Sequence, residues 1–192
     1  MIPSKYHQII LLTIFGFVGS ILIGYFFYNN NIFVFKSPAF QFIIIGFFAS
    51  LFFSLLKYRS TRDQLFGIAI IIFWDFVIII GKPLSTALVV RDIMFLSSMF
   101  VSVTLYYNFI KRKLKKKYFL RSFALGIIYA LLTIVFGTIV YFINAQFSFP
   151  PSGFLYAIAK NSLLTGLGIG IGLDFYLQYE NKILNILKIR MS

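Results

Sequence analysis

The chain contains no cysteine, which excludes disulfides, thiolate nucleophiles and cysteine-ligated metals. It holds a single histidine, His7, too little for a histidine metal cluster or a buried haem ligand set. Acidic residues number only five in 192. No His-Glu metalloprotease pattern, catalytic Ser-His arrangement or paired acidic signature occurs. An enzyme is therefore not expected, and neither is a cofactor or a metal. Charge of any sign is scarce: 12% of residues carry it, about half the roughly one quarter usual in soluble domains. Water is the wrong solvent for such a chain.

What is present is hydrocarbon, at 60% of residues with a mean hydropathy of +0.91. The composition predicts an all-α, polytopic integral membrane helix bundle of about six transmembrane helices, in the plasma or inner membrane. Six spans of about 20 residues leave no room for a separate soluble domain. Residues 1–192 are thus expected as one membrane-embedded domain. A net charge of +13 would suit nucleic acid if it were spread over a soluble face. Here the basic residues gather in short connections between apolar runs, so the expected partner is the lipid bilayer and not nucleic acid.

One stretch fixes the orientation. Lys111, Arg112, Lys113, Lys115, Lys116 and Lys117, with Arg121, lie between two runs that could each cross a bilayer, and electrostatics should hold them in the cytoplasm as a topology anchor. The spans read as Ile9–Tyr28, Ala39–Leu56, Gln64–Ile80, Ile93–Ile110, Phe123–Phe142 and Phe154–Leu177. The first is longer than a signal-peptide core and is expected to be retained. Pro150-Pro151 marks a rigid entry to the sixth. With both termini inside, 14 of the 18 basic residues fall in cytoplasmic segments, against three outside (Lys36, Lys82, Arg91) and Lys160 within a span. The segment 84–90 is open to reading as loop, re-entrant turn or helix, and a three-plus-three arrangement would have its seam there.

Small residues recur at four-residue spacing in three of these runs. Gly16, Ser20 and Gly24 do so in the first, and Gly46, Ser50 and Ser54 in the second. Such stripes let helices approach closely, so the two helices are expected to share a bundle. The series Gly166, Gly168, Gly170 and Gly172 lacks the lysine-hydroxyl ending and the strand-to-helix setting of a phosphate loop, and reads as helix packing, with Gly166 and Gly170 as contact positions.

Function must rest on the few polar residues inside the spans. Asp75, beside Trp74, lies deep in the third run, where exposure to lipid would cost several kcal/mol. Arg91, Asp92, Lys160 and Asn161 fall in the outer half or at its rim, and with Asp75 they form a candidate substrate-binding set for a small anionic or zwitterionic solute. Asp75 and Lys160 come to similar depths and are candidates for a pair; alternatively, Lys160 snorkels to the outer interface. Asp174 and Glu180 are expected near the inner end, hydrated or paired with nearby basic residues. Two functions follow as expectations: small-molecule transport or substrate capture, or non-enzymatic assembly with a membrane protein partner through the small-residue faces. In its compact six-span size and lack of a motor domain the chain resembles the substrate-binding membrane subunits of energy-coupled vitamin importers. That resemblance implies that partner subunits supply ATP hydrolysis.

Overall fold

A computed structural model of the chain describes residues 4–29, 41–57, 62–70, 73, 97–110, 118–144 and 150–186. Asp75, Arg91, Asp92, the segment 84–90 and the basic run 111–117 lie outside the described residues. The described residues are all-α. They comprise α1 (Ser4–Tyr28), α2 (Gln41–Leu56), α3 (62–70), α4 (97–105), α5 (Tyr118–Asn144) and α6 (Ser152–Ile186). The chain of α4 continues into a π-helical turn, Tyr106–Ile110. Three stretches, Tyr6–Tyr28, Leu120–Phe142 and Ser152–Ile186, are long and apolar enough to cross a membrane. The chain is accordingly a multi-pass membrane protein.

Local chemistry sets the helix ends. Asn29 follows α1 with φ of 51°, the left-handed conformation that stops a helix and that asparagine tolerates better than most residues. At the same end of the bundle the Pro151 carbonyl accepts from the amides of Phe154 and Leu155, at 3.0 and 3.2 Å, and so opens α6. The last helix overshoots the expected span end at Leu177 and continues to Ile186. At about 1.5 Å per residue its 35 residues reach roughly 52 Å, well beyond a hydrocarbon core of about 30 Å.

Packing between helices is governed by the small residues. Along α1 and α2, Thr13 meets Ser54, with hydroxyl oxygens 3.0 Å apart, Gly16 meets Ser50, Ser20 meets Gly46 and Gly24 meets Phe42. The order runs down one helix and up the other, so the pair is antiparallel. The Ser20 hydroxyl donates to the Phe42 carbonyl at 2.8 Å, a polar tie inside an otherwise apolar contact. The glycine series of α6 divides by side: Gly168 and Gly172 close on Phe15, Gly16, Gly19 and Ser20 of α1, whereas Gly166 and Gly170 close on Ser122, Leu125 and Gly126 of α5. Two four-residue stripes offset by two positions lie about 200° apart on a helix. One seven-residue run of alternating glycines, 166–172, therefore sandwiches α6 between two neighbours.

Both of these contacts are antiparallel too. They set the start of α1, the end of α2, the start of α5 and the end of α6 at one end of the bundle. The helix α4 meets α2, where Phe52 and Phe100 rings stand 4.4 Å apart, and its π turn adjoins α5. Inside lie Leu12, Phe53, Met99, Tyr106, Leu125, Tyr129, Ile169 and Tyr176, drawn from five helices. Outside, large apolar side chains stand exposed in i, i+4 rows: Ile10, Ile14, Val18 and Leu22 on α1, and Phe123, Ile127, Leu131, Val135 and Ile139 on α5. Small and hydroxylated residues inward with branched aliphatics outward is the arrangement a hydrocarbon solvent favours.

Candidate functional site

The α5-facing stripe of α6 does not end with its glycines. Gly166, Gly170 and Asp174 follow at four-residue intervals and so share one side of the helix. A methyl placed on Gly166 would lie 2.8 Å from Gly126 Cα, and one on Gly170 would lie 2.7 Å from Ser122 Cα. Such close backbones put Asp174, one turn further on, within reach of the first turn of α5. Its Oδ1 lies 3.1 Å from Nη2 of Arg121, and its Oδ2 accepts from the Ser122 hydroxyl at 3.0 Å. The Tyr106 hydroxyl donates to Oδ1 from a third helix at 3.4 Å. Arg121 and Asp174 are 5% and 3% exposed, so the pair is buried in the bundle and not hydrated at its rim.

Burying a carboxylate and a guanidinium costs several kcal/mol per ion even after relaxation, and their attraction offsets this only when hydrogen bonds complete the site. The two hydroxyls supply such bonds on the Asp174 side of the pair. Removing either ion would strand the other in a low dielectric, which is the costly case.

Tyr106 opens the π turn, and the same turn carries a second polar contact. Asn108 donates through Nδ2 to Gln64 Oε1 at 2.7 Å and to its own helix at the Thr104 carbonyl at 3.0 Å. Gln64 in turn donates to the Leu56 carbonyl at the end of α2, at 3.0 Å. A π turn shifts the side chains after it relative to an α-helix, and such turns occur frequently at functional sites. Tyr106, at the start of the turn, reaches α6, and Asn108, within it, reaches α3. Farther along α6, Glu180 pairs with Lys57, the residue after α2, at 3.3 Å, with both side chains about a fifth exposed. Among the described residues no three of His, Asp or Glu converge as a metal site would require.

Of the sequence-derived solute set, Lys160 and Asn161 are described. They lie at the opposite end of α6, 14 and 13 positions before Asp174, or about 20 Å at helical rise. Lys160 is exposed and its ammonium stands over the Tyr28 ring, 5.3 Å from the centroid. Asn161 is buried and its side-chain carbonyl accepts from the Tyr28 hydroxyl. The Lys160 and Asn161 pair thus meets α1 in the structure; Asp75, its expected neighbour, lies outside the described residues. Arg121, expected with the basic anchor 111–117, is buried and directed at Asp174. Three apolar residues, Tyr118-Phe119-Leu120, separate it from Lys117 and carry it into the helix packing.

Sequence reasoning missed the assembly of Arg121, Ser122, Tyr106 and Asp174. The signal for part of it was there: Ser122 and Gly126 are a small pair on α5 at the spacing of Gly166 and Gly170, and continuing the α6 stripe by one turn reaches Asp174. Tyr106 carried no such signal, because nothing in its spacing shows which helix faces it. Compared with family models, curated proteins and solved structures, the chain matches none.

Proposed function

We propose that the chain is a small-molecule transport or substrate-capture protein of about six spans with both termini cytoplasmic, acting on an anionic or zwitterionic solute. The observation that carries this reading is the ion pair Arg121 and Asp174, buried where three helices meet, with Tyr106 and Ser122 donating to its carboxylate. Ionisable groups inside a membrane bundle are expensive and mark solute, ion or proton pathways. A guanidinium offers a planar fork that matches carboxylates and phosphates. In this reading Asp174 occupies Arg121 in the resting protein, and an anionic group of the solute takes its place.

The antiparallel order of α1, α2, α5 and α6 supports termini on one side, and the 14 to 3 basic distribution supports that side as the cytoplasm. Assembly with a membrane partner is less well supported, because the small-residue faces it would use are filled within the chain by α1, α2, α5 and α6. Energy coupling by partner subunits remains part of the proposal.

The test is purification in mild detergent with mass spectrometric identification of bound solutes, then binding and vesicle uptake of the identified solute. Arg121→Met should weaken binding at least tenfold while membrane insertion persists. Equal binding by a folded Arg121→Met protein would rule out this site.

A further inference from the structure

At the end of the bundle away from Asp174, α6 carries polar groups that nothing within the chain uses up. Lys160 is exposed, and its ammonium stands 5.3 Å from the centroid of the Tyr28 ring. The acids among the described residues, Asp63, Asp174 and Glu180, all lie toward the opposite end, Asp174 about 20 Å along the helix. Among the described residues, then, no carboxylate neutralises Lys160.

Asn161 adds a second donor. Its Oδ1 accepts from the Tyr28 hydroxyl, which leaves Nδ2 on the other branch of the amide, and among the described residues Nδ2 has no acceptor. The residue is only 8% exposed, yet Nδ2 is not sealed in. A buried amide with unused N–H groups calls for a reason, because such groups are nearly always hydrogen-bonded. The frame around it is fixed: the Tyr28 ring packs against Phe42 with centroids 5.6 Å apart, and the Thr165 hydroxyl donates to the Asn161 carbonyl at 2.7 Å. Depth bears on what can reach the group. The stretch Tyr6–Tyr28 covers 23 residues, about 33 Å at helical rise, against a hydrocarbon core of about 30 Å. Tyr28 thus stands at the polar boundary of the bilayer, where lipid phosphates and dissolved anions both have access.

An ammonium without an acid and an amide N–H without an acceptor meet at one tyrosine. Both are donors, and the partner that satisfies both is an acceptor carrying negative charge. We infer that Lys160 and Asn161 bind an oxyanion here, either the phosphate of a membrane lipid or the acidic group of a soluble ligand. Lys160 supplies the charge, Asn161 Nδ2 supplies a directed hydrogen bond, and Tyr28 is a positioning residue that holds both. The site is separate from Arg121 and Asp174 and does not depend on the solute reading of that pair.

The experiment uses purified full-length protein in dodecyl maltoside, a detergent without phosphate or charge, titrated with methyl phosphate or with dioleoylphosphatidic acid and followed by calorimetry, with thermal unfolding to confirm that each variant is folded. Wild type should bind at least one of the two. Binding of methyl phosphate assigns the site to a soluble ligand, and binding of the lipid alone assigns it to a membrane lipid. Lys160→Met should weaken that binding at least tenfold. Asn161→Asp keeps an acceptor for Tyr28 but puts a carboxylate oxygen in place of the N–H groups, and it too should weaken binding at least tenfold. Tyr28→Phe frees the amide to turn and should weaken it about threefold. Lys182 also stands over a tyrosine ring, 5.7 Å from the Tyr179 centroid, at the other end of α6, so Lys182→Met should leave the affinity unchanged. Binding of neither probe, or undiminished affinity in folded Lys160→Met or Asn161→Asp, would overturn the inference and leave Lys160 as an interfacial cation on Tyr28. An equal loss in Lys182→Met would overturn it as well, since any surface lysine would then serve.

Discussion

Replacing Gly170 by leucine perturbs more than a packing contact. A Cβ at that position would lie 2.7 Å from Ser122 Cα, whereas carbon atoms settle at about 3.5–4.0 Å. Backbone cannot yield as a flexible side chain can, so α5 and α6 must part by about 1 Å, which also removes dispersion contacts on both sides. Overpacking of this kind costs about 1–3 kcal/mol. The same displacement acts on Arg121 and Asp174, whose 3.1 Å separation depends on the closeness of these two backbones. Loss of a buried pair adds about 3–5 kcal/mol when a charge is left stranded. Gly170→Leu should therefore cost several kcal/mol, and less when Arg121→Met and Asp174→Leu have already removed the charges. Equilibrium unfolding in a detergent titration, with membrane insertion measured separately, reads both quantities. A cost that is the same in the two backgrounds within about 0.5 kcal/mol, or no cost at all, would refute the linkage between glycine packing and the ion pair.

Arg121→Met and Asp174→Asn should each destabilise the folded bundle, by about 3–5 kcal/mol, while the double variant loses less than their sum; strictly additive losses in a double-mutant cycle would argue against a coupled pair. Removing Lys57 or Glu180, which are partly solvated at 22% and 21% exposure, should cost only about 0.2–1 kcal/mol, measured in the same titration. Because the native chain has no cysteine, single cysteines near the N-terminus, within 111–117 and near the C-terminus can be tested on an unaltered background. All three should be protected from an impermeant thiol reagent in intact cells, and external labelling of 111–117 would overturn the topology.

The stripes Gly16, Ser20, Gly24 and Gly46, Ser50, Ser54 were legible because bilayer helices associate through small side chains, and spacing alone reveals such faces. The alternating glycines of α6 were legible as packing residues for the same reason. Which neighbour each stripe would take was not, since apolar residues surround these helices on every side and mark no preferred direction. The site suffered most from that gap. Arg121 follows a basic run and reads as part of it, and only the register of α5 against α6 separates it from that run and brings it to Asp174. Lys160 and Asn161 were found as polar intrusions, but their contact with Tyr28 required knowing that the end of α1 lies beside the start of α6.

The central claim, that the buried Arg121 and Asp174 pair receives the solute and does not only hold helices together, is tested most directly by exchanging the charges. Arg121→Asp combined with Asp174→Arg keeps opposite charges between α5 and α6, and the hydroxyls of Ser122 and Tyr106 can accept from the new guanidinium. Native mass spectrometry of the purified wild type and of the exchanged variant, at matched thermal stability, then reports what each carries. The account predicts an anionic or zwitterionic solute on the wild type that is absent from the folded exchanged variant. The same solute at the same occupancy on both proteins would contradict it.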